Sequence, residues 1–252
     1  MTWNKSETPS VRLPGSDFFN NAALKLEEQT DVKMPVDRLK RLATYTAIFG
    51  IVHALLYISA FYFFQEIPLG NATDADILAF YGSGGQSNLV LVGMYLLPFS
   101  GIAFIYFMVL LRSLVTSTGQ SISSIFSNIQ FLAGAVFIAL LFTAGAASAS
   151  TAASLQFAQV DVDPMFARQL PLFSSTLLVG FAMRMTAMFV FTSSSMGLAA
   201  SLVPSWFAYL GYLVGIFLLL SASFASWFVL VFPVWVIMLC VIVWMSASRL
   251  KA

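Results

Sequence analysis

The charged residues of this chain are distributed so unevenly that most of it cannot form a water-exposed surface. Of 12 basic and 11 acidic residues, thirteen lie in residues 1–41, which leaves ten for the remaining 211. Charged residues make up 9% of the chain and hydrophobic residues 59%, against about 25% charged in a soluble domain. Mean hydropathy is +0.87. The chain reads as an all-α, polytopic membrane helix bundle.

A bilayer core of about 30 Å needs about 20 apolar residues per helix. Six stretches qualify: 42–65, 88–113, 124–150, 171–197, 204–225 and 227–248. The last two read as a tight hairpin, because Leu202 to Trp244 is nearly unbroken and only Ser221, Ala222, Ser223 and Ser226 offer a turn. This divides the chain into a tail, 1–41, and a six-helix transmembrane domain, 42–252. Lys33, Arg38, Lys40, Arg41, Arg112, Arg249 and Lys251 fall on one side of such a bundle. Glu66, Asp74, Asp76, Asp161 and Asp163 fall on the other, with Arg168 as its single basic residue. Positive charge marks the cytoplasmic side, so both termini are expected there, in a bacterial inner membrane.

Two shorter elements stand out. In the tail, Phe19, Ala22, Ala23 and Leu26 recur at helical spacing. That stripe fits either a helix resting on the membrane or one that docks a partner subunit. Between the first two spans, Thr73 and Asp76 have the spacing of a capping box ahead of Ile77 and Leu78. Gly82, Ser83, Gly84 and Gly85 should stop that helix.

Arg184 lies roughly 13 residues into the fourth span, about 19 Å deep. An arginine there costs about 2.5–3.5 kcal/mol and must face protein, water or an anion. It could tie helices through carbonyls and hydroxyls, with Thr186 nearby, or hold an anionic ligand such as a lipid headgroup. His53, the single histidine, lies about 16 Å into the first span and shares a face with Tyr57 at i+4. It fits a hydrogen-bonded packing residue, or one axial ligand to a haem or chlorophyll; the sequence leaves any cofactor unknown. Gly211 and Gly215 form a GxxxG motif, suited to helix packing within the chain or to another subunit. Pro98 should kink the second span near Met94.

Several chemistries lack a required part. No lysine lies in a span, which removes a retinal-type Schiff base. One histidine and one cysteine cannot build a haem–copper or multi-ligand zinc site. No carboxylate lies in a span, which removes the usual proton relay and an aspartyl protease pair. A serine protease would need a serine against His53, and Ser83 lies in an outer loop. A net charge of +1 gives no basic patch for nucleic acid.

The segment 202–236 carries helix punctuation at Val203, Pro204, Trp206 and Pro233. It resembles the last third of an uncharacterised family of bacterial six-helix membrane proteins of unknown function. The resemblance implies a six-helix fold and brings no catalytic residues; the charged tail before Leu42 departs from that family's compact pattern. Together these features fit a non-catalytic accessory or scaffold subunit of a larger membrane complex, partnered by lipid and by other subunits or copies of itself. The alternatives are a small transporter or lipid- or anion-binding protein using Arg184, and an enzyme acting on a lipid-like substrate through His53.

Overall fold

Long apolar runs of Leu, Ile, Phe, Ala and Val leave the backbone no water to bond with, so each run closes its hydrogen bonds internally as helix. The computed structural model describes residues 35–68, 71–118, 124–220 and 226–249, and among them every regular element is helical. In chain order the helices are α1 Val36–Phe64, α2 Asp74–Phe80, α3 Gln86–Leu91, α4 Leu97–Thr116, α5 Ser124–Ala158, α6 Pro164–Thr176, α7 Met183–Ala199, α8 Ser205–Leu220 and α9 Val231–Ser248. Widened turns, Val92–Leu96 and Leu177–Ala182, join α3 to α4 and α6 to α7. Five of the resulting rods are long and apolar enough to cross a membrane, which marks an integral membrane protein. The sixth apolar helix, α8, has 16 residues; residues 221–225, where its expected span would end, lie outside the described residues. The tail stripe of Phe19, Ala22, Ala23 and Leu26 also lies outside them.

Helix ends depart from hydropathy where capping chemistry overrides it. α1 begins at Val36 and not at 42, because Arg38, Lys40 and Arg41 are good helix formers and carry the helix beyond the apolar run. α5 runs on from 150 to Ala158 through Ala and Ser. At 35 residues it is about 52 Å long, against a bilayer core of about 30 Å. α6 starts at Pro164 and not at 171: Asp163 accepts the Met165 N–H at 2.8 Å, and Pro164 occupies the first turn, where it has no N–H to lose. Pro171 then sits inside the helix. The widened turn at Val92–Leu96 falls where Pro98 deprives the preceding turn of a donor.

Sequential rods pack against one another as far as α8, and α9 packs on α1. Gly50 of α1 meets Phe107 of α4, and Phe104 meets Phe137 of α5. Gly134 lies beside Phe189 of α7, and Gly215 of α8 beside Phe191. Cys240 of α9 returns to Gly50. Where α3 turns into α4, the backbone of Gly93 crosses α5 so closely that a Cβ would overlap the carbonyl of Gly145. The small-residue stretch from Ala144 to Ser150 permits that approach. One end of the bundle therefore carries Asp37, Arg38, Lys40, Arg41, Arg112 and Arg249; the other carries Glu66, Asp74, Asp76, Asp161, Asp163 and Arg168.

The acidic end has a small core of its own. Ile77, Tyr81, Leu89, Ala152 and Ala167 bring α2, α3, the protruding end of α5 and the start of α6 together. Thr73 and Asp76 form the capping box, with the Thr73 N–H donating to Asp76 Oδ2 at 2.8 Å and the Asp76 N–H to Thr73 Oγ1 at 3.2 Å. Gly84, at φ 103°, ends the turn that follows α2. Arg168 donates to the Ala72 carbonyl and to Asp74 Oδ1 at 2.8 and 2.9 Å, which ties the start of α2 to α6.

Candidate functional site

At the bundle centre α1 and α4 are joined by a pair of side chains far apart in sequence. His53 Nδ1 lies 3.0 Å from the Ser100 carbonyl and 2.8 Å from Ser100 Oγ. Ser100 Oγ is also 3.2 Å from the His53 carbonyl. With the proton on Nδ1, each side chain donates to the other's backbone, a reciprocal clamp between the two helices. Both residues are wholly buried. Ser100, in the stretch Leu97-Pro98-Phe99-Ser100-Gly101, was not singled out from sequence; its only local signal is a hydroxyl beside a glycine in an apolar run.

Serine and histidine at this separation have the spacing of a nucleophile and its base. The surroundings do not serve that chemistry. Phe104, Phe137 and Phe232 ring the imidazole, with centroids 4.8, 6.2 and 5.9 Å away. His53 Nε2 has no hydrogen-bond partner among the described residues. Tyr57 shares the buried face, and its hydroxyl is also unpartnered. It lines a cavity of about 30 Å³ with Ala60, Phe61, Val92 and Leu178, room for one water molecule.

Arg184 does not join this cluster. Its Nη1 donates to the carbonyls of Gly180 and Val179 on its own helix. Both belong to the widened turn Leu177–Ala182, which releases carbonyls from the regular ladder. The hydrogen bonds of the Arg184 side chain among the described residues thus run to its own rod. Thr186 is buried and donates to the Met183 carbonyl at 2.8 Å, again within its own helix.

Other buried polar residues tie neighbouring helices. Gln130 Nε2 donates to Ser193 Oγ at 2.9 Å, joining α5 to α7. Ser174 Oγ donates to the Ala144 carbonyl at 2.8 Å, joining α6 to α5. Ser195 Oγ and the Tyr212 hydroxyl lie 3.1 Å apart, joining α7 to α8. Gly211 and Gly215 face α7: a Cβ on Gly211 would overlap the Ser194 hydroxyl, and one on Gly215 would meet the Phe191 ring at 2.9 Å. Within this chain the GxxxG motif is therefore spent on packing α8 against α7. No group of three or more metal-ligating side chains occurs among the described residues. Scans against protein-family models, curated proteins and solved structures give no match to this chain.

Proposed function

We propose that this chain crosses the membrane six times with both termini cytoplasmic, and serves as a non-catalytic accessory or scaffold subunit of a larger complex in a bacterial inner membrane. The orientation rests on the charge difference between the two ends of the bundle. The subunit reading is supported by a core that is filled: Phe104, Phe107, Phe137, Phe189 and Phe232 meet at its centre. The buried polar side chains that bond between elements hold this chain's own helices together.

The observation that carries the reading is Tyr106. It lies midway along α4, stacks on Phe49 of α1 with centroids 4.7 Å apart, and is 53% exposed on the outer face. Its hydroxyl makes no hydrogen bond among the described residues. A phenol facing hydrocarbon is left with an unmet polar group, whereas tyrosine is favoured where one end is packed and the other meets a partner protein or the membrane–water boundary. Tyr106→Leu should therefore weaken assembly while leaving the isolated chain folded. A variant that assembles like the wild type, and is no less stable, would place Tyr106 against lipid and remove this support.

A further inference from the structure

We infer that the cleft between α8 and α9 holds an anionic phospholipid, with its phosphate at Arg249 and its acyl chains along the groove. α8 packs on α7 and α9 packs on α1, so these two helices touch one another only sparingly. The space between them has two compartments. At the basic end lies a cavity of about 500 Å³ whose lining includes Ser201, Trp206, Met245, Ser246 and Arg249. Further along is a cavity of about 290 Å³ whose lining includes Leu210, Val214, Val231, Val234 and Met238.

This gradient matches one class of molecule. The first compartment offers a guanidinium, two hydroxyls and an indole, groups that suit a phosphodiester at the membrane–water boundary. The second compartment is apolar, lined by aliphatic side chains together with Trp227 and Trp235. From Arg249 to Met238 is eleven residues, about 16 Å, close to the hydrocarbon depth of one leaflet. The one ion pair among the described residues is Arg168 with Asp74, so Arg249 has no carboxylate partner among them. The turn after α7 helps set the polar compartment: Ser201 adopts φ 55°, while the Leu202 and Val203 N–H groups bond back to the Gly197 carbonyl. The N-terminus of α8, with its partial positive charge, opens at the same end. The inference is independent of the subunit reading and requires only that α8 and α9 lie in the bilayer.

The test uses the full chain in mixed micelles holding equal phosphatidylglycerol and phosphatidylcholine, with the retained lipid weighed by native mass spectrometry. Wild type should retain phosphatidylglycerol about five-fold over phosphatidylcholine, the preference expected from one arginine at the surface. Arg249→Gln should bring the ratio to that of the micelle, and Arg249→Lys should keep most of it. Val214→Trp, which fills the apolar compartment, should lower retention of both lipids. Arg112→Gln removes a charge from the same end outside the cleft, and should leave the ratio unchanged. Equal retention by wild type overturns the inference. So does an unchanged ratio in Arg249→Gln, or an equal loss in Arg112→Gln. Loss of bound phosphatidylglycerol on adding inorganic phosphate would show a free-anion site in place of a lipid site.

Discussion

His53 and Ser100 show how a polar residue is accommodated in a core of phenylalanine. Each is buried completely, and each satisfies a backbone carbonyl of the other's helix. Removing the imidazole leaves a cavity and frees one of these bonds, so His53→Ala should destabilise the protein by about 3 kcal/mol. Ser100→Ala removes one hydroxyl and should cost about 1 kcal/mol. The double variant should cost less than the two together, by about 1 kcal/mol, in thermal unfolding of the detergent-solubilised protein. Strict additivity would deny the clamp. His53 was conspicuous in the sequence as the single histidine of an apolar span. Its partner was not, because serine in such helices usually bonds its own turn and only the fold brings position 100 to position 53. Arg184 was equally conspicuous, yet its partners are carbonyls released by a widened turn that no residue pattern announces.

Helix ends divide in the same way between local and non-local causes. The Thr73–Asp76 box was legible because all its parts lie within four residues. The start of α6 at Asp163 was overlooked because hydropathy begins at Pro171, although the cap and the following proline are local signals too. The extension of α5 beyond 150 was overlooked because the apolar run weakens there, although its alanines favour helix and α3 and α6 pack against α5. Hydrogen bonds from the Thr73 side chain and N–H hold the Asp76 carboxyl below its ordinary range. A lowered folded-state pKa gives a contribution that is present above the ordinary carboxylate value and lost as pH falls through the depressed one. The protection of the 74–80 amides, taken relative to their intrinsic exchange rates, should therefore fall on acidification within that window. Thr73→Ala should lower that protection about five-fold at neutral pH and flatten its pH response. Gly93→Ala tests the close crossing of α3 and α5: the added Cβ meets the Gly145 carbonyl, and the expected loss is about 1–3 kcal/mol, read as a lower unfolding temperature.

In the whole molecule, the filled core, the segregated charge and the outward-facing aromatic side chains point the same way. Five membrane-crossing rods were legible as apolar runs; the sixth remains a reading of α8 and of charge balance, since 16 helical residues span only about 24 Å. Single cysteines in a Cys240→Ala background settle the sidedness. One at Ser117 should react with membrane-impermeant reagents only after the cytoplasmic face is opened, and one at Asp161 should react from outside. The opposite pattern would invert the topology. The subunit reading is tested most directly by the mass and composition of the particle that contains this chain, extracted from its native membrane in mild detergent. A particle with other polypeptides in fixed proportion, lost on deletion of residues 1–33 and retained in Arg184→Gln, is the predicted result. A particle of one chain, unaltered by that deletion, would contradict it.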